Sequence, residues 1–145
     1  MPKKKKSSAV EFAYTLDAGC GFHLPLLNLT LQTEAGRKIE ALALLDSGSP
    51  VNVMPRHTGE ELGLDWLSAK ILGPIGGAFQ RTETRLAFVN VRILNQHPIR
   101  LAFAWASNDG PRLILGHIDF FQKFDVAFRG RDRKFEVSAR GKWDF

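Results

Sequence analysis

Ala41 to Leu45 is an apolar run that ends in a carboxylate, Asp46, followed at once by Ser47, Gly48 and Ser49. Withdrawing a carboxylate from water costs free energy unless the group is solvated, hydrogen-bonded or paired. An aspartate carried by a buried strand into a loop of small hydroxyl residues and a glycine therefore suits acid–base chemistry. The same short pattern also describes a turn in which the aspartate caps local amides. Two other constellations hold reactive residue types. Asp17, Cys20 and His23 lie close in sequence, but His57, His97 and His117 add no pair at metal-ligand spacing, so no metal is expected. Ser47 with His117 as base would form a nucleophile, yet no Gly-x-Ser-x-Gly elbow surrounds the serine. Asp17-Ala18-Gly19 echoes the Asp46 motif without its hydroxyl residue and reads as a turn.

The elements that would position Asp46 are mostly strands. Leu27, Leu29 and Leu31 share one side of a strand, and Ile39, Ala41, Ala43 and Leu45 share a side of the next. Thr33-Glu34-Ala35-Gly36-Arg37 joins them as a hairpin whose second arm ends at Asp46. Upstream, Ala9 to Leu16 reads as one strand, followed by a turn over residues 17–21. Downstream, Val51 to Met54 is a short β segment closed by Pro55, and Thr58-Gly59-Glu60-Glu61 matches a capping box for a brief helix. Gly73 to Phe79 is a glycine-rich loop or hairpin tip, without the spacing of a dinucleotide fingerprint. Strands follow over Thr82–Leu94 and Ile99–Trp105, with turns at Asn95–Pro98 and Ser107–Pro111. After Leu113-Ile114-Leu115-Gly116, the helical spacing of Ile118, Phe121 and Phe124 predicts one amphipathic helix over His117–Phe124. Strands over Asp125–Phe128 and Lys134–Val137 complete the chain.

The chain has 145 residues, 44% of them apolar with 11 Phe and 3 Trp, which suits a single core and leaves no room for two full domains. The net charge is +5, but four positive charges form the run Lys3 to Lys6, leaving the remainder at about +1. Residues 1–8 are expected to be a basic, disordered tail and residues 9–145 the folded domain. No global nucleic-acid surface is indicated, and contact with nucleic acid is expected at most through Lys3–Lys6. With no apolar run of about 18 residues, no membrane partner is expected. The solitary Cys20 forms no internal disulfide, and the chain reads as a soluble cytoplasmic or otherwise intracellular protein.

Leu44-Leu45-Asp46-Ser47-Gly48-Ser49 with Val51-Asn52-Val53, and later Leu113-Ile114-Leu115-Gly116 before a helix, resemble the paired motifs of the retropepsin-like aspartic proteases. Their order and the glycine-rich hairpin between them agree over roughly residues 25 to 137, a breadth that lifts a short motif above chance. In one respect the chain departs from the retroviral members, which usually carry Arg and then Asp or Asn after the second glycine. Here Gly116 is followed by His117, Ile118 and Asp119.

The resemblance implies a mostly β, single-domain acid-protease fold: a closed, barrel-like sheet with a flap hairpin and one or two short helices, assembled as a homodimer. It implies an aspartic endopeptidase in which Asp46 of each subunit supplies half of a carboxylate pair, acting on an extended polypeptide without metal or other cofactor. Ser47 would tie the two loops across the dimer axis, Gly48 would present its amide to the carboxylate, and Ser49 would add a hydrogen bond to Asp46. Ile75, Gly76 and Gly77 correspond to the flap tip, and Ile114, Leu115 and Gly116 to the structural second motif. The alternative is an inactive domain of the same fold that binds peptides or proteins as a dimer.

Overall fold

The computed structural model describes residues 9–76 and 81–139; Lys3–Lys6 and Gly77 lie outside them. Twelve strands are present: β1 (Val10–Ala13), β2 (Thr15–Leu16), β3 (His23–Leu24), β4 (Leu26–Gln32), β5 (Lys38–Leu45), β6 (Val53–Met54), β7 (Ile71–Ile75), β8 (Thr82–Arg92), β9 (Ile99–Ala106), β10 (Ile114–Leu115), β11 (Phe124–Arg129) and β12 (Lys134–Ala139). Two short α-helices, α1 (Arg56–Glu61) and α2 (Phe120–Lys123), and one 3-10 turn over Gly130–Asp132 complete the described residues.

Seven strands form the principal sheet in the order β4-β5-β10-β6-β9-β8-β7. β4 also pairs with β8, with Leu31 opposite Val91, so six of the seven close into a ring and β7 hangs from β8 as an outer edge. The β4–β5 hairpin expected from the alternating leucines is present, with Leu29 opposite Ala41 and Leu31 opposite Ile39. Leu27, Leu29, Leu31, Ala43 and Leu45 are buried, and they meet Val89, Val91, Leu101 and Phe103 from β8 and β9 inside the ring. Burial of these side chains is the main source of stability, at roughly 1.5–3 kcal/mol for each large one. β7 carries a register shift between Ile71 and Gly73, and Pro74 within it has no amide to donate.

A second, three-stranded sheet has β12 between β1 and β11. Phe135 and Val137 are fully buried there, and Phe12 stacks on Phe135 with ring centroids 5.3 Å apart. The expected continuous strand over Ala9–Leu16 is divided at Tyr14, whose amide donates to the Arg133 carbonyl at 2.7 Å. β1 stays with β12, whereas β2 turns away to pair with β3. A single period-two pattern spans both pieces, so local sequence conceals the break.

Both helices differ from the sequence expectation. α1 starts directly after Pro55, Thr58 lies inside it, and no side chain of its own caps it. Its first amides are satisfied from a distant loop instead: Arg56 N–H donates to the Asn108 carbonyl at 3.1 Å and His57 N–H to Asp109 Oδ1 at 2.8 Å. α2 is one turn, Phe120–Lys123, rather than the whole of His117–Phe124. The Ile118 carbonyl accepts the Asn52 amide at 2.8 Å and Ile118 bridges in parallel to Val51, so this residue is held in strand-like pairing and the helix begins only after it. Among the described residues no helix is long and apolar enough to cross a membrane.

Tryptophans secure α1 to the ring. Trp105 Nε1–H donates to the Arg56 carbonyl at 3.1 Å, and Trp66 meets Trp105 edge-on with centroids 5.0 Å apart. The guanidinium groups of Arg56 and Arg85 lie 4.3 and 4.8 Å from the Trp66 ring centroid. Gly59 packs so closely under Trp105 that an added methyl group would overlap the indole. Gly59→Ala is accordingly expected to cost about 1–3 kcal/mol through overpacking, measured by urea unfolding. Unchanged stability in that variant would contradict the tight seat of α1 on β9.

Candidate active site

Asp46 follows β5 at the point where three segments are laced together. β10 runs parallel to β5, with Ile114 opposite Leu44 and Leu115 opposite Leu45, and antiparallel to β6, with Ile114 opposite Val53. Asp46 N–H donates to the Leu115 carbonyl at 3.0 Å, which fixes where the strand ends and the loop begins. The chain then doubles back through Ser49 N–H, which donates to the Asp46 carbonyl at 3.0 Å. The Asp46 carboxylate, half-buried, accepts the Gly48 amide on Oδ1 at 2.9 Å. A Cβ at position 48 would stand 3.1 Å from that same oxygen, so glycine permits the approach.

Ser49 departs from expectation. Its hydroxyl donates to the Val51 carbonyl at 2.7 Å rather than to Asp46, because the tight turn aims it along its own chain. Ser47 is exposed, and its carbonyl lies 2.6 Å from His117 Nε2. Gly116 sits beneath the loop, where a Cβ would overlap the carbonyl oxygens of Val51 and Ser49. Leu115 and Gly116 are buried, while Ile114 reaches the cleft above.

The cleft beside Asp46 has a volume of about 640 Å³. Gly48, Ser49, Val51 and Val53 line it from the Asp46 side, Pro74, Ile75, Gly76 and Thr82 from the β7–β8 hairpin, and Gly110 and Pro111 from the β9–β10 connection. Ile75 and Gly76 are thus brought to the same space as Asp46. Asp46 is the one ionisable residue among those lining it in the described residues. The remaining lining is mostly apolar side chains and backbone, with Ser49 and Thr82 as its hydroxyl residues.

A residue without an assigned role in the sequence holds the loop from below. Asn52 is fully buried, and its carboxamide is fully engaged. Oδ1 accepts the Gly116 amide at 2.8 Å, while Nδ2 donates to the Ala102 carbonyl at 2.9 Å and to Asp119 Oδ1 at 2.8 Å. Asp119 in turn accepts the Ala102 amide at 3.2 Å and Lys123 Nζ at 3.1 Å. A polar residue between two valines was the available signal, since an amide drawn into the core must find partners. Elsewhere, Asp17, Cys20 and His23 do not converge: Asp17 accepts the Cys20 amide and faces Arg112, and His23 lies 3.2 Å from Arg133. Among the described residues no three His, Cys, Asp or Glu side chains gather at metal-binding distance.

No protein-family profile and no curated protein sequence matches the chain. Solved structures do. A retropepsin-like aspartic protease from Rickettsia conorii superposes with a TM-score of 0.62 at 14% identity, covering 90% of this chain and 98% of that one. The EIAV protease, in complex with the inhibitor HBY-793, superposes with a TM-score of 0.51 at 23% identity, covering 68% of this chain and 86% of that one. The chain has a retropepsin-like fold.

The Asn52 junction generates a direct expectation. Asn52→Ala leaves the Gly116 amide, the Ala102 carbonyl and part of Asp119 without buried partners, at a cost of about 2–4 kcal/mol. Equilibrium denaturation measures the loss, and a cost below that of an ordinary surface substitution would show that the junction does not hold the loop.

Proposed function

We propose that this protein is an aspartic endopeptidase that works as a homodimer, with Asp46 of each subunit forming one carboxylate pair. The observation that carries the reading is the Asp46-Ser47-Gly48 loop, a carboxylate held by the Gly48 amide and opening onto an apolar cleft. The retropepsin-like fold supports it. Each chain supplies one such loop, so a two-fold copy is the economical source of the second carboxylate.

Two carboxylates at hydrogen-bonding distance do not both ionise readily, so the pair shares a proton, an effect that aspartic proteases in general illustrate. The charged Asp46 takes a proton from a water molecule as its oxygen adds to the scissile carbonyl carbon. The protonated Asp46 of the other subunit gives its proton to the carbonyl oxygen. Collapse of the tetrahedral intermediate breaks the C–N bond, with the amine leaving protonated and the pair returned to its singly protonated state. Ser47 would bridge the two loops across the axis, and Ile75, Gly76 and Gly77 would close over an extended polypeptide and exclude water. Of the second motif, Leu115 and Gly116 would support the loop from beneath while Ile114 faces the cleft.

Asp46→Asn removes the proton cycle while preserving shape. Cleavage of unfolded protein is expected to fall by about 10²–10⁴-fold or more with sedimentation and unfolding unchanged. Wild-type activity should also fall on dilution below the dimer constant. Cleavage that persists in the variant sinks the carboxylate-pair mechanism. Peptide binding by a wild-type dimer that never cleaves would instead identify a binding module of the same fold.

A further inference from the structure

His117 stands directly after the second motif and has no part in the proton cycle of the Asp46 pair. It is nevertheless bonded to the Asp46 loop twice. Its backbone N–H donates to the Ser49 carbonyl at 3.0 Å, and its ring nitrogen Nε2 lies 2.6 Å from the Ser47 carbonyl oxygen. A carbonyl oxygen can only accept, so in this contact Nε2 carries the hydrogen and the imidazole is the donor. Phe121, whose amide donates to the Gly116 carbonyl at 3.1 Å, packs against the ring with centroids 5.3 Å apart.

The Ser47 carbonyl and the Gly48 amide belong to one planar peptide unit. At the other side of that unit Gly48 N–H donates to Asp46 Oδ1 at 2.9 Å. His117 and Asp46 are thus joined through a single rigid group, the imidazole on its oxygen and the carboxylate on its N–H. A donor on the carbonyl restrains rotation of the plane, and with it the direction in which the Gly48 N–H points. It also polarises the amide, because successive hydrogen bonds in a chain strengthen one another.

We propose that His117 is a positioning residue for the Asp46 carboxylate, acting through the Ser47–Gly48 peptide unit. This rests on Asp46 being the acid–base residue of the peptidase. The link needs no charge on the imidazole, since the neutral ring with hydrogen on Nε2 already makes the bond. His117 does not line the cleft, whereas Asp46 does. Loss of the link should therefore be felt in the chemical step and not in the binding of peptide.

The test compares wild type with His117→Leu, which fills the space without a donor, and His117→Gln, whose side-chain amide restores one. Cleavage of unfolded casein is measured with each protein held dimeric, as sedimentation shows, and the Gly48 amide proton is followed by NMR. The bond is exposed to water, so kcat is expected to fall about two- to ten-fold in His117→Leu, with KM and the urea midpoint unchanged. His117→Gln should recover most of the kcat. The Gly48 resonance should move upfield in His117→Leu as its bond to Asp46 weakens, and return in His117→Gln, which separates hydrogen bonding from the ring current of the lost imidazole. Wild-type kcat in His117→Leu, a loss carried by KM, a Gly48 resonance that stays in place, or a His117→Gln variant as impaired as His117→Leu overturns the proposal. Should wild type cleave nothing, or cleavage survive Asp46→Asn, the peptidase reading fails separately and the Gly48 resonance alone decides whether His117 acts on the Asp46 carboxylate.

Discussion

The site depends on one buried amide. Asn52 joins the segment after Asp46 to the second motif through Gly116, to β9 through Ala102, and to the entrance of α2 through Asp119. Each of those groups lies in a setting where an unmet hydrogen bond costs far more than a met one returns. Together with the backbone bonds from His117 and Ile118 back to Ser49 and Pro50, this junction prevents the Asp46 loop from relaxing into an ordinary turn. The Asp46 loop is thus braced from beneath by Asn52, Gly116, Ala102 and Asp119, none of which lines the cleft.

The loop over residues 107–111 links helix α1 to the cleft by a different route. It provides the missing cap of α1, and α1 is itself clamped by Trp105 and Gly59. The cleft wall at Gly110 and Pro111 thus inherits its position from a helix that lies outside the cleft. Exposed polar contacts do this work beside a rigid aromatic clamp, so the wall is the softer of the two boundaries of the cleft.

Strands with an uninterrupted alternation were legible from the sequence. Leu27, Leu29 and Leu31 announced β4, and the run into Asp46 announced β5 and the motif loop, because burial on one face dictates period two over the whole length of an element. What remained hidden was settled by distant partners. The break at Tyr14 depends on Arg133, the shortening of α2 on the pairing of Ile118 with Val51 and the Asn52 amide, and the start of α1 on Asn108 and Asp109. Thr58-Gly59-Glu60-Glu61 satisfies a capping rule that the structure does not use, since a better set of acceptors arrives from a loop some fifty residues later. Asn52 was visible as a polar residue in an apolar run, but its three partners were not, and Ser49 was aimed by a turn whose direction no local pattern encodes.

The closure of β4 onto β8 leaves the principal sheet with β7 as its exposed border. A bare strand border is a template on which other chains can polymerise, and this one carries Pro74 and Ile75 into the cleft wall. The irregular register at Ile71–Gly73 and the missing donor at Pro74 spoil that template over most of its length. The border is therefore guarded against edge-to-edge pairing by its own irregularity rather than by a covering element.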